Sequence, residues 1–511
     1  MNFTTLPFAI LMVVTLAAFW AVHRNRTARV LVLIAASYVF YASANPWFLI
    51  LLLYVSLLDF WLGGRIARAT NPRTRKWLTA ASIVSSLSLL VFFKYTNFFL
   101  NAPADAAALF GVDWRRFNLP IPQPLGISFF VFQTISYIVD VYRRKIEPCE
   151  KPLDYLLYIA FFPRMVVGPI VRAGRFLPQL DAAPRLTKER FGLALFFLIC
   201  GFVKKLIFAE FVRLNLVDKV LDLPTMYSAT EALAAVYGSV LQLYCDFSGY
   251  MDIVIGIALL FGLQLPDNFH FPFKARNNRA FWRGWHITLS TWLQDYLYIP
   301  LGGSRVSHSW KLYRNLMITM VLAGLWHGAA WTYVLMGVSF GLGLVVTRLF
   351  QGKKGPLDYL PGESKFLYFV DVFTTFQFLA FTWVFYKARD VSNLVDVLSR
   401  LTPFLAGAPN FLIVKFGWAL AHGEDLRQTV MDHALFLKKA LLGVTNLPLA
   451  VVGVMALGAC GMWLPEKWYE KSKAVFVRLP WPVQLLIAAL AMLAIYKATS
   501  FQVTPFEYQR F

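Results

Sequence analysis

The chain predicts an all-α, polytopic integral membrane protein, and three observations carry that expectation. Of its 511 residues, 58% are hydrophobic and only 15% charged. The mean hydropathy is +0.56, too high for a soluble multidomain protein. Apolar runs near the roughly 20 residues needed to cross a bilayer recur from end to end.

Those runs cover 6–22, 29–44, 47–63, 77–99, 124–142, 191–212, 229–263, 316–347, 366–386, 446–464 and 480–497. Several are long enough to be two segments or a broken helix, so roughly ten to thirteen transmembrane and re-entrant helices are expected. The start, Met1 to Leu6, has no basic stretch, so the first run reads as a retained span and not a cleaved signal peptide. No repeat of fixed period and no pair of similar halves is visible, which disfavours transporters built from internal repeats. The whole of 1–511 reads as one membrane domain, with a core at about 152–347 and peripheral helices at 1–151 and 348–511.

The formal net charge of +21 could suit nucleic acid, but the basic residues lie in short loops, where they report orientation. Arg24, Arg26 and Arg29 follow the first run, Arg65 to Lys76 the third, and Arg143 to Lys151 the fifth; these loops are expected to be cytoplasmic. The intervening Ala44-Asn45-Pro46 is uncharged and the 101–123 loop is balanced, so the amino terminus is expected outside. Cys149, Cys200, Cys245 and Cys460 form no CxxC pair and indicate neither a disulfide framework nor a thiolate metal site.

Polar and aromatic residues interrupt the apolar runs most often in the core. At Phe161 to Arg172, two prolines and a glycine break an apolar segment, as in a kinked span, an interfacial loop or backbone lining a cavity. In Gln242 to Asp252, helical spacing sets Asp246 beside Tyr250 and Ser248 beside Asp252. These could line a polar path, or the carboxylates could be held by basic partners elsewhere. In Phe281 to Tyr298, Arg283, His286 and Ser290 would share one face of a helix, with Trp282, Trp285 and Trp292 as interfacial aromatics. That helix could be a plain anchor, or could turn His286 inward. Finally, Gly324-Leu325-Trp326-His327-Gly328 sits in a run, Leu316 to Thr347, with no Asp, Glu, Lys or Arg. An ionisable group at membrane depth faces a cavity or a partner, either as a structural hydrogen bond or as a working group.

Taken together, these strings resemble the membrane-bound O-acyltransferase superfamily, and within it the bacterial branch typified by the membrane subunit of alginate O-acetylation. The resemblance rests on Phe281-Trp282-Arg283-x-Trp285-His286-x-x-Leu289-Ser290-x-Trp292-Leu293-x-Asp295-Tyr296-Leu297-Tyr298, then Leu301-Gly302-Gly303, Arg314-Asn315 and Gly324-Leu325-Trp326-His327-Gly328. Tyr244 to Asp252 is similar too, as are Ser37 to Tyr41, Phe93 to Phe98, Gly126 to Phe129, Trp383 to Phe385 and Pro505 to Tyr508.

The resemblance implies helices around a central tunnel and acyl transfer onto a hydroxyl, with His327 and His286 as the catalytic pair. His327 would take the acceptor proton, a contribution of about 10²- to 10⁴-fold, while His286 would orient a substrate or stabilise oxyanion charge. Asp246, Ser248, Tyr250, Asp252, Trp285, Ser290, Asn315 and Trp326 are the expected substrate or tunnel residues, with Arg314 an unassigned neighbour. Acetyl-coenzyme A is the implied donor, with no permanently bound cofactor. Lys274, Arg276, Arg279 and Arg283 could meet its phosphates or simply obey the positive-inside rule. The implied acceptor is an exported glycan or a periplasmic acetyltransferase- or esterase-like partner protein, and the implied location is the bacterial inner membrane with a periplasmic amino terminus.

Position 164 is Arg where the alginate branch tends to have His, and positions 284 and 294 are Gly and Gln where basic residues are common. Acyl transfer stands, while alginate itself, cellulose, peptidoglycan and other glycans remain open. The alternative from another class is a proton-coupled carrier using Asp59, Asp140, Asp246, Asp252, Asp371 and the two histidines. A metal site is not expected, since no HExxH or cysteine pair completes a ligand set. His23, His270, His308, His422 and His433 read as surface residues.

Overall fold

An apolar chain in lipid must satisfy its own backbone, and the long runs do so as helices. The computed structural model describes residues 3–108, 110–351, 364–409 and 447–498. His422, His433 and the Pro505 to Tyr508 string lie outside the described residues. Among the described residues there is no strand, only an isolated bridge between Phe269 and Trp285.

Among the described residues, six helices are long and apolar enough to cross a membrane: Phe48–Arg68, Pro72–Ala108, Lys188–Asp222, Ala229–Leu260, Trp331–Phe350 and Lys365–Lys387. Leu449–Met462 and Glu466–Arg478, bent by 91°, form one broken span or a re-entrant loop. Leu6–Ala21, Ile127–Tyr142 and Trp481–Lys497 are shorter apolar helices. The expected run at 316–347 is two helices, Ser309–His327 and Trp331–Gln351, folded back at Gly328.

Ala229–Leu260 is the central helix, with 83% of its most apolar window buried inside the protein. It starts at a reciprocal cap in which Ser228 and Glu231 satisfy each other's backbone N–H. Its neighbour, Lys188–Asp222, carries a π-helical turn at Val203–Ala209 that presents consecutive lysines to it. Lys205 pairs with Asp246, both almost wholly buried, and Lys204 with Asp252 at 2.8 Å. Removing one member of such a buried pair costs about 3–5 kcal/mol, because the other charge is stranded. The carboxylates of Gln242 to Asp252 thus sit on helical faces as expected, each held by a basic partner, and Asp252 also borders a cavity.

The pairing needs close backbones. A Cβ on Gly201 would lie 2.6 Å from the Gly249 carbonyl, and one on Gly249 would lie 2.8 Å from the Gly201 carbonyl. Small residues at such crossings let helices approach within membranes.

Loops carrying the basic clusters are joined on one side of the bundle. Arg26 pairs with Asp154 and Asp181, Lys151 also reaches Asp181 at 2.9 Å, and Arg75 donates to the Tyr142 carbonyl at 2.6 Å. Arg143 donates to the Asp295 carbonyl, and Arg172 pairs with the Asp295 carboxylate. On the opposite face, Asn97 and Asn101 hold the 117–119 backbone and Trp331 bonds Asp105.

Gly249→Val will push the two central helices apart and strand Lys205 and Asp246. Its apparent melting midpoint in detergent, read by size-exclusion chromatography after heating, will fall by several degrees or more. Gly64→Ala, where an added Cβ meets nothing within 4 Å, will leave it unchanged.

Candidate active site

His327 is the last residue of the Ser309–His327 helix, and ending a helix at depth exposes carbonyls that have no partner within it. Two residues from another helix supply them. Lys94 Nζ donates to the carbonyls of Trp326 (2.6 Å) and His327 (3.3 Å), and Tyr95 Oη donates to Leu325 (2.8 Å). Both lie in a π-helical turn, Val91–Tyr95, inside Pro72–Ala108. An ammonium at a helix C-terminus also opposes the negative end of the helix dipole. His327 is buried, its ring 5.9 Å from that of Tyr386.

His286 stands at another break. The single helix expected across Arg283, His286 and Ser290 does not form: Asn278–Gly284 ends, Trp285 is extended, and Ile287–Leu293 starts afresh. His286 takes φ of 43°, in the left-handed region that costs a non-glycine residue about 1–3 kcal/mol. The extended Asn268 to His270 strip overrides helix propensity by capturing this backbone: His270 N–H donates to Gly284 O, and Ile287 N–H to Asn268 O. Gly284 is needed for that approach, since a Cβ there would lie 2.4 Å from the His270 carbonyl. Arg283 is therefore exposed, while His286 is 0% exposed.

Asn268 holds the new helix start. Its carboxamide oxygen accepts from the Thr288 N–H (3.0 Å) and hydroxyl (2.9 Å), and Thr288 Oγ1 accepts the Ile170 N–H at 3.0 Å. The broken 161–172 segment, the 268–270 strip and the His286 turn thus share one hydrogen-bonded junction. Neither ring nitrogen of His286 has a hydrogen-bond partner among the described residues. A buried polar group so left costs about 1–3 kcal/mol, which an arriving substrate could recover.

Trp326 joins the two histidines. Its ring centroid is 5.8 Å from His286 and 5.0 Å from His327, and it packs on Phe129 and Phe132. Phe247 meets His286 edge-on at 4.7 Å. Two cavities approach this wall from opposite faces and share no lining residue. One, of about 330 Å³, runs in from the basic face past His270, Lys204, Tyr244, Asp252, Ser248 and Asn268. The other, of about 70 Å³, lies between Lys94, Gln123, Gly126, Phe129, Trp326 and His327. Gln123 also lines a wider opposite-face cavity of about 580 Å³ that reaches Gly328 and Tyr386.

The other expected residues divide by position. Ser248 and Asp252 line the basic-face cavity, Asp246 is locked to Lys205, and Tyr250 is buried against Phe3 and faces the Val167 backbone. Trp285 belongs to a cluster with Phe281 and Trp383, and Ser290 bonds the Trp285 carbonyl at 3.0 Å. Asn315 is twelve positions from His327, about 18 Å of helical rise; it accepts from Arg314 and donates to Gly303, away from the imidazoles. Lys274 donates to the Leu464 carbonyl and Arg276 to Asp371, Arg279 is half-buried, and none of the three lines either of these two cavities. Arg164 is wholly buried between the Tyr158 and Phe176 rings, bonded to the Tyr158 carbonyl, where it props the broken segment.

Lys94, Asn268, Thr288 and Gln123 had drawn no role from the sequence. The lysine's signal was there to read: one ammonium inside an apolar helix, which demands a buried acceptor. Asn268 and Thr288 are ordinary polar residues whose partners lie elsewhere along the chain, and Gln123 is known only by the cavities it lines.

Among the described residues, no group of His, Cys, Asp and Glu could hold a metal ion. The sequence model of the membrane-bound O-acyltransferase family matches residues 149–352, a stretch holding both histidines. The probable alginate O-acetylase AlgI of Pseudomonas aeruginosa is 37% identical over 367 residues, covering 71% of this chain and 68% of that protein. The peptidoglycan O-acetyltransferase of Helicobacter pylori is 34% identical over 399 residues, 72% of this chain and 73% of its own length. The teichoic acid D-alanyltransferase of Bacillus subtilis is 27% identical over 52% of this chain and 69% of that protein. These matches set the carrier alternative aside. With its paired, wall-forming imidazoles and this kinship, the chain belongs to the membrane-bound O-acyltransferase family, in the alginate O-acetylase-like branch, and is an O-acyltransferase.

Proposed function

We propose that this enzyme moves acetyl groups from cytoplasmic acetyl-coenzyme A to hydroxyls of an exported polysaccharide, or to a periplasmic partner protein that acylates it. The observation that carries this reading is a small cavity lined by His327 and Trp326 on one face and a larger one on the basic face whose lining residue Asn268 bonds the backbone just after His286. The basic face is the cytoplasmic one by the positive-inside rule, so the amino terminus is periplasmic and the membrane is the bacterial inner membrane. The kinship with enzymes named for alginate and peptidoglycan supports a glycan acceptor.

In this reading the coenzyme enters the larger cavity with its thioester toward Ser248 and Asn268, and the acceptor hydroxyl reaches His327 from the other side. His327 takes the hydroxyl proton as the oxygen attacks the thioester carbonyl. His286, whose nitrogens are otherwise unsatisfied, donates to the developing oxyanion. Collapse breaks the carbon–sulfur bond; the thiolate leaves, takes the proton from His327, and departs as the free thiol. Trp326 positions both imidazoles, and Lys94 fixes the carbonyl end of the His327 helix. The core at 152–347 is proposed to hold the reaction site, with the flanking helices as its support.

Radiolabelled acetyl-coenzyme A given to inside-out vesicles tests the reading. His327→Ala will cut label transfer to exported glycan by about 10²- to 10⁴-fold, and His286→Ala by about 10²- to 10³-fold. Equal labelling in wild type and His327→Ala would overturn the assignment of the base. Lys94→Met will reduce turnover by about tenfold or more through loss of a charge-assisted hydrogen bond. Lys94→Arg will restore much of it.

A further inference from the structure

A further cavity, of about 620 Å³, lies on the basic face and shares no lining residue with the two assigned to the acyl-transfer site. It is bounded by the ends of Leu6–Ala21 and Arg26–Ala42, the 182–190 connection and the loop after Leu260. Its charged lining is three arginines, Arg29, Arg185 and Arg190, and no carboxylate is among the residues that form it. Phe19, Leu33 and Phe261 supply an apolar wall.

Arg29 sets this place apart from ordinary basic loops. It is only 6% exposed, and among the described residues its guanidinium has neither an ion-pair partner nor a hydrogen-bond acceptor. Arg26, one turn earlier, is by contrast held by Asp154 and Asp181. The positive-inside rule accounts for arginines in solvent and headgroups, whereas Arg29 is nearly buried in the wall of the cavity with no anion beside its charge among the described residues. Arg190 has one nitrogen on the Arg185 carbonyl at 3.2 Å, which sets its guanidinium beside the Arg185 backbone.

From these residues we infer that the cavity is a phosphate-ester site, with Arg29 as its buried anchor and Arg185 and Arg190 at its rim. Arginine's planar fork binds phosphate oxygens in pairs, and a phosphate gives Arg29 the counter-charge the protein withholds. The apolar wall at the edge of the first two helices favours an anionic phospholipid, its headgroup on the arginines and its first methylenes against Phe19 and Leu33. A soluble phosphate ester carries the same recognised group without the chain. The inference is independent of the acyl-transfer reading, since the cavity touches neither histidine.

Native mass spectrometry of the full-length protein from neutral detergent, with phosphatidylglycerol or phosphatidylcholine added, tests the site, alongside thermal melts in inorganic phosphate. The expected result is preferential retention of phosphatidylglycerol, with affinity falling about tenfold or more in Arg29→Gln. Protection by inorganic phosphate that vanishes in Arg29→Gln, with no preference between lipids, assigns the same site to a soluble phosphate ester. Unchanged affinity for both probes in Arg29→Gln overturns the inference. Should that variant fail to fold, Arg185→Gln, an exposed change, must weaken the same probe, and its failure to do so overturns the inference equally.

Discussion

Backbone groups freed where helices stop inside an apolar protein govern this structure. Each histidine stands at such a stop, and each stop is possible only because a distant residue takes the freed groups. Lys94 and Tyr95 do this for the carbonyls at Leu325 to His327, and Asn268 with Thr288 does it for the N–H groups that follow His286. Since unsatisfied backbone in hydrocarbon costs several kcal/mol per group, these contacts decide whether the site exists at all.

The same constraint explains two of the π-helical turns. Of the four π-helical turns among the described residues, Val91–Tyr95 and Val203–Ala209 occur where lysines reach inward, at Lys94 and at Lys204 and Lys205. The extra residue in such a turn rotates the next side chains toward a partner that a regular helix would miss. Positioning of the His327 helix and closure of the central helix pair therefore depend on one device used in separate places.

Trp326 gives the site its division. With His286 and Phe247 it forms a wall between a cavity open toward the basic face and a small one open toward the other. In the proposed reaction this wall is where the two substrates meet while water and ions are kept from crossing. Arg164 serves the same scaffold from behind: stacked between Tyr158 and Phe176, it stiffens the broken segment whose Ile170 N–H completes the His286 junction.

By itself the sequence determined the all-helical membrane class, the face on which the basic loops gather, the family and the two histidines worth attention. These follow from residue counts, short-range spacing and motif order, all of which survive in one dimension. It also placed the break at Phe162 to Arg172, because two prolines and a glycine mark it locally, while the fold at Gly328 emerged only from the structure. Only the tertiary structure decided that the His286 segment is a strained turn and not a continuous helix, since the Asn268 to His270 strip that captures its backbone lies outside any helical period. It alone paired Asp246 and Asp252 with lysines 41 and 48 positions earlier, removed Asn315 from the imidazoles, and brought Lys94 beneath His327. Those outcomes depend on which buried polar group finds which partner, and hydrogen-bond partners in a folded interior are chosen by distance in space, which spacing along the chain does not encode.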